Sequence, residues 1–131
     1  MRVARAVDTH ALAWFLSNDK RLSRTARDEL LSPDCYLLVP AIVLAEIAYL
    51  AQRRRIDVTL ANVVGGPLAA PNCELIAVDL DVVRHMPPQL DIHDALIVAS
   101  ALAWKQGTSE EVAIITKDRQ IHRHAGLPVI W

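Results

Sequence analysis

Aromatic side chains are scarce in this chain: phenylalanine, tyrosine and tryptophan together supply only 5% of its residues, so any core must be aliphatic, drawn from Leu, Ile, Val and Ala. Cysteine is nearly absent too. Cys35 and Cys73 form no zinc or redox motif, and unpaired thiols in a reducing cytoplasm are expected. No apolar run approaches the roughly 18 residues of a membrane span. Asp8 and His10 interrupt any signal-peptide core after the basic N-terminus, so a cytoplasmic protein is expected. Low-complexity tracts and internal repeats are missing. A formal net charge of -1 gives no direct pointer to nucleic acid. The five histidines offer no zinc set, because His122 and His124 stand two apart and face different sides of a helix.

What is present describes an ordinary folded domain. With 131 residues, 53% hydrophobic and 22% charged, the chain suits a single domain over residues 1–131 with a core that needs no staples. Short β-like segments alternate with longer helical ones. Val3 to Val7, Tyr36 to Val39, Leu75 to Val78, Val112 to Thr116 and Pro128 to Trp131 read as strands. Helices are expected over Thr9 to Ser17, after a Ser23 N-cap to Leu31, from Pro40 to about Arg54, and over Val58 to Val64 with Asp57 as cap. Others follow Asp79 and run from Asp91 to Gln106, with Gly107 as the C-cap, and one helical turn follows Asp118. This alternation predicts an α/β fold, a short parallel sheet flanked by helices in three layers. Arg5, inside a strand that should be central, fits this picture poorly.

Four carboxylates carry the chemical interest. Glu46 is the only charged residue between Ala41 and Ala51, in a helix apolar on nearly every face that should be largely buried. A carboxylate carried there is costly unless a cation, a proton or hydrogen bonds compensate it. Asp8 and Asp118 lie just past strand ends, and Asp94 sits in the first turn of a very apolar helix. In a parallel sheet, sites form beyond the carboxyl ends of the strands, so all four acids can meet at one edge. Oxygen-only ligands then argue for Mg²⁺ or Mn²⁺.

Each acid also has a purely structural explanation. Asp8 is good capping chemistry before Thr-His-Ala-Leu, and Asp118 can simply start a turn. Asp91 and Asp94 have the spacing of a cap residue and its N3 partner. For Glu46 the best structural alternative is a buried ion pair with Arg5.

At these residues the chain resembles the PIN-domain proteins, and among them the VapC-type ribonuclease toxins of VapBC toxin–antitoxin modules. The matching segments are Val7-Asp8-Thr9-His10-Ala11-Leu12-Ala13-Trp14, Pro40-Ala41-Ile42-Val43-Leu44-Ala45-Glu46-Ile47-Ala48, Asp91-Ile92-His93-Asp94-Ala95-Leu96-Ile97-Val98-Ala99 and Ile114-Ile115-Thr116-Lys117-Asp118. Each fragment is weak alone, and four in register are specific. His10 stands where many relatives have Asn, Ile92-His93 replaces a Pro-Phe pair, and Gly107 to Glu111 is slightly long. None of these departures removes a required carboxylate.

The resemblance implies a PIN-like fold, Mg²⁺ or Mn²⁺ dependence, endonucleolytic RNA cleavage, a homodimer and neutralisation by a cognate VapB-type antitoxin. It carries the family's acids to Asp8, Glu46, Asp94 and Asp118, with Asp91 as an accessory acid and Thr9, His10 and Thr116 as supporting groups. On this reading Asp8, Asp94 and Asp118 coordinate metal and Glu46 orients an activated water. Two metals, or one metal and a carboxylate base, suit the sequence equally. Arg53, Arg54, Arg55, Lys117, Arg119 and Arg123 are candidate RNA contacts, since basic groups hold phosphates while the acids hold metal.

Three rival classes are weaker or separable. An aspartyl-nucleophile phosphatase needs a second acid where His10 stands. A phospho-acceptor receiver domain could use Asp79 but lacks paired acids after its first strand. A catalytically inactive PIN-like module that binds RNA or a protein would be expected to have lost site acids.

Overall fold

The computed structural model describes residues 2–131. Five parallel strands form one sheet: β1 (Val3–Val7), β2 (Cys35–Pro40), β3 (Cys73–Ile76), β4 (Val112–Ile115) and β5 (Val129–Ile130), in the order β3-β2-β1-β4-β5. The helices are α1 (Thr9–Leu16), α2 (Arg24–Leu31), α3 (Ala41–Gln52), α4 (Leu60–Gly65), α5 (Leu80–Arg84), α6 (Ile92–Thr108) and α7 (Arg119–His124), with a short 3₁₀ turn at Pro67–Ala69. The expected three-layer α/β/α arrangement is what the chain adopts.

Strand alternation sorts the core into two faces. Val7, Leu37, Val39 and Ile115 pack with Leu12 of α1 and with Val43 and Ile47 of α3. Ala4, Ala6, Leu38 and Ile114 face Val98 and Ala101 of α6 and Ile121 of α7. A smaller cluster of Val82, Leu96, Ala99 and Ala103 fixes α5 against α6. The core is aliphatic, as the scarcity of aromatics requires. Cys35 and Cys73 are both unpaired, and burial pushes each thiol up to about 11, so neither is a ready nucleophile.

Arg5 has a clear role. Its Nε donates to Glu29 Oε2 of α2 at 2.9 Å and its guanidinium also donates to the Ala4 carbonyl at 3.0 Å. The cation on the central strand thus pins α2 to the sheet, and it does not pair with Glu46. Arg5→Met is expected to lower the unfolding free energy by about 1–2 kcal/mol, the scale of hydrogen bonds to a charged group. Urea denaturation would read it.

Several local expectations need correction. The helix after Arg55 is capped by Thr59 rather than Asp57: Thr59 and Asn62 exchange side-chain and backbone hydrogen bonds, a full capping box that starts α4 at Leu60. The third strand lies two residues earlier than Leu75 to Val78, because pairing to β2 sets its register, Leu37 beside Cys73. Helix α6 continues through Gly107, and Ser109 takes the left-handed C-cap conformation with φ of 59°. Helix α3 is less buried than its apolar sequence requires. Only Val43 and Ile47 are buried in it, while Tyr49 is 53% exposed, because no other element covers its outer stripe.

Candidate active site

Strand order reverses between β1 and β4, and ligands of open parallel sheets bind in the crevice such a reversal opens. Asp8 follows β1, Asp118 follows β4 by three residues, Glu46 lies in the second turn of α3 and Asp94 in the first turn of α6. All four acids line one open cleft of about 400 Å³, with Thr9, His10, Trp14, Ile97 and Lys117. Residues from four distant stretches of chain meet here.

Three of the four cleft carboxylates, all but Asp94, are held by hydrogen bonds or an ion-pair neighbour. Asp8 caps α1, accepting the Ala11 N–H on Oδ1 at 2.8 Å, and its Oδ2 accepts the Thr116 hydroxyl in a short bond. The Thr116 hydroxyl oxygen also accepts the Asp118 N–H at 3.0 Å, which ties the ends of β1 and β4 together. Asp118 caps α7, with Oδ1 accepting the N–H groups of Gln120 and Ile121 at 2.8 and 3.0 Å. The buried Thr9 hydroxyl donates to Glu46 Oε1 at 2.7 Å, and His93 Nδ1 stands 3.4 Å from Glu46 Oε2. Glu46 therefore has a hydroxyl donor on one oxygen and an imidazole near the other. Asp91 lies outside the cleft lining and caps α6, accepting the Asp94 N–H at 3.1 Å.

The capping explanations for Asp8 and Asp91 are correct as geometry, and Asp118, expected only to start a turn, caps α7 as well. For Asp118 the cap uses Oδ1 alone and leaves Oδ2 for chemistry, whereas both oxygens of Asp8 already accept one hydrogen bond and would coordinate through their remaining lone pairs. Asp94 has no capping duty of its own, and it shows the field of the site most directly. Burial, together with the charges of Asp118, Asp91, Glu46 and Asp8, pushes its carboxyl up to about 6. Burial also raises Asp8, against the opposing pull of its Thr116 and Ala11 hydrogen bonds.

This donor set fits a hard divalent cation: it is carboxylate oxygen alone, and its mutual repulsion is what a cation relieves. Among the described residues, however, no three His, Cys, Asp or Glu side chains stand close enough together to hold a metal ion as they are placed. Asp8, Glu46 and Asp118 instead rest on the hydroxyls, the imidazole and the helix N–H groups named above, and Asp94 on none of them.

The basic residues divide. Lys117 lines the cleft. Arg53 folds back over the Tyr49 ring at 3.5 Å and donates to the Tyr49 carbonyl. Arg54 and Arg55 line a separate small cavity, and Arg119 and Arg123 lie exposed on α7. The His122 Nε2–H donates to the Thr116 carbonyl, 2.9 Å away. Trp14 and Ile97 line the cleft although sequence reasoning did not select them as site residues. The spacing of Trp14 four residues after His10, one helical turn, was the available signal; their rings lie 5.6 Å apart.

A parallel α/β sheet with an acid-lined cleft at its strand-order reversal defines the class of site. The PIN domain family model matches residues 5–127, and the chain belongs to the PIN domain family. Its fold is similar to that of a chain in the crystal structure of VapBC2 from Rickettsia felis bound to a DNA fragment from their promoter. The TM-score is 0.65 at 15% identity, over 97% of each chain. No curated protein sequence matches.

Proposed function

We propose that this PIN domain is an Mg²⁺- or Mn²⁺-dependent endoribonuclease and the toxin component of a type II toxin–antitoxin module. The observation that carries the reading is the convergence of Asp8, Glu46, Asp94 and Asp118 on one cleft. Asp8, Asp94 and Asp118 would hold the cation, with Asp91 adding negative charge from outside the lining. When bound, such a cation lowers the pKa of water and offsets the charge that builds on a phosphodiester under attack.

Glu46, fixed by Thr9 and the neighbouring His93, orients the attacking water. Thr116 holds Asp8 and the start of the Asp118 turn in one frame. Lys117 faces the cleft and attracts the substrate phosphate. The resemblance to the VapC-type nucleases favours products with 5′-phosphate and 3′-hydroxyl ends, which attack by activated water would give.

A VapB-type antitoxin as partner is supported by the VapBC2 complex in which the similar fold occurs. The uncovered stripe of α3, with Ile42, Ala45 and Tyr49 around a cavity of about 360 Å³, supports a homodimer, since apolar patches of this kind mark protein contacts. A cytoplasmic site of action accords with a reducing environment for the free thiols. No helix among the described residues is long and apolar enough to cross a membrane.

The test is incubation of structured RNA with the purified protein and Mn²⁺, against an EDTA control, with analysis of the product ends. Metal-dependent internal cuts are expected. RNA binding without any cleavage would overturn the nuclease and favour a non-catalytic RNA-binding PIN module.

Thr9→Val tests the part assigned to Glu46. It is expected to reduce cleavage about tenfold through loss of one hydrogen bond to a charged group, with little change in RNA affinity. Single-turnover rates at saturating RNA would check this.

A further inference from the structure

We propose that Arg54 and Arg55, beside Trp14, form a phosphate-binding subsite that guides single-stranded RNA into the acid cleft; this rests on the nuclease reading above. A second cavity, of about 90 Å³, is lined in part by Trp14, Arg54 and Arg55, together with Arg21, Asp19 and Asp57. Trp14 lines this cavity and the acid cleft alike, so the two share a wall.

The charges in the small cavity are unevenly matched. Asp19 is engaged by Arg21, which donates to both its oxygens, Nε at 3.1 Å and Nη2 at 2.8 Å, and lies over the Trp14 ring at 5.0 Å. Arg54 and Arg55 are exposed, and among the described residues neither side chain has a carboxylate in ion-pair range or a hydrogen bond. Only Asp57 remains to oppose these two guanidiniums. An arginine fork matches the oxygens of a phosphodiester, and two such forks beside a cleft that attracts the neighbouring phosphate give the strand a path.

Backbone conformation points the same way. Helix α3 closes with Arg54 N–H donating to the Ala51 carbonyl and Arg55 N–H to the Leu50 carbonyl, both at 3.0 Å. This places Arg54 at the left-handed position after the helix, with φ of 55°. Glycine is the favoured residue there, because a Cβ crowds the following carbonyl. Local stability therefore does not select arginine at this place. Arg53, one residue earlier, is folded onto Tyr49 and takes no part.

The experiment titrates a fluorescently labelled short single-stranded RNA into the full protein in EDTA, across a series of salt concentrations. It compares wild type, Arg54→Gly and Arg55→Gln, with melting temperatures measured alongside. Arg54→Gly is expected to melt at a higher temperature yet bind RNA about five- to tenfold more weakly at low salt, with the log–log salt slope shallower by about 0.7. Arg55→Gln should show the same weakening with little change in melting. Unchanged affinity and slope in both variants would overturn the subsite, as would a wild-type protein that binds no RNA. Wild type that binds as described but cuts nothing with Mn²⁺ leaves the subsite standing and overturns the nuclease reading alone.

Discussion

Asp94→Asn is expected to reduce metal-dependent RNA cleavage by about a thousandfold or more, while raising the melting temperature of the metal-free protein at neutral pH. The loss follows from removing one charged ligand from the proposed cation site, where charge stabilisation supplies several kcal/mol, at about 1.4 kcal/mol per factor of ten. The gain follows from the field at Asp94. Burial and four neighbouring carboxylates hold this group up to about 6 from an ordinary 3.8, so folding favours its protonated form. Stability from that preference is complete below about pH 4 and is lost as pH rises through about 6. Asparagine carries no charge at any of these values and removes the loss. Its backbone N–H still meets Asp91, so α6 keeps its cap. Melting curves in EDTA from pH 4 to 8, beside cleavage assays, would check both halves. A variant that cleaves at the wild-type rate would end the assignment of Asp94 as a ligand.

Millimolar Mn²⁺ is expected to raise the melting temperature of the wild type at pH 7.5 by about 8–14 °C at a hundredfold excess over Kd. Binding to the native state alone contributes about 2.7 kcal/mol at that excess, and a domain of this size shifts by about 3–5 °C per kcal/mol. The effect should shrink as pH falls through about 6, because a proton on Asp94 competes with the cation. Both the relief of repulsion and the availability of carboxylate therefore favour metal at higher pH. Differential scanning fluorimetry with Mn²⁺ against EDTA at pH 5 and 7.5 reads the difference. A shift that is equal at the two pH values would place the ion elsewhere.

Helices were legible in the sequence wherever capping chemistry was local. Ser23, Asp79 and Asp91 cap the helices they were expected to cap, because an N-cap needs only a side chain and the N–H group two or three residues ahead. The cap of α4 was misread because Asp57 and Thr59 are both good candidates, and the reciprocal bond with Asn62 decides for Thr59. The position of β3 was misread because its register belongs to β2, not to its own residues. Lone charges in apolar runs were the visible sign of the site, since Glu46 and Asp94 make little sense without a compensating environment.

What supplies that environment was not visible. Arg5 pairs with Glu29 and not with Glu46, a choice made by which face of β1 meets α2. Glu46 receives the Thr9 hydroxyl because α1 and α3 enter the cleft side by side. By itself the sequence determined the alternation of strands and helices and the aliphatic core, and it marked which acids stand out in apolar surroundings, since all depend on local pattern and composition. Only the tertiary structure decided which acids share a cleft, which are left to cap helices, and that Trp14 joins the cleft to an arginine-lined cavity. Those are contacts across long stretches of chain, fixed by sheet order and helix packing rather than by any neighbour in sequence.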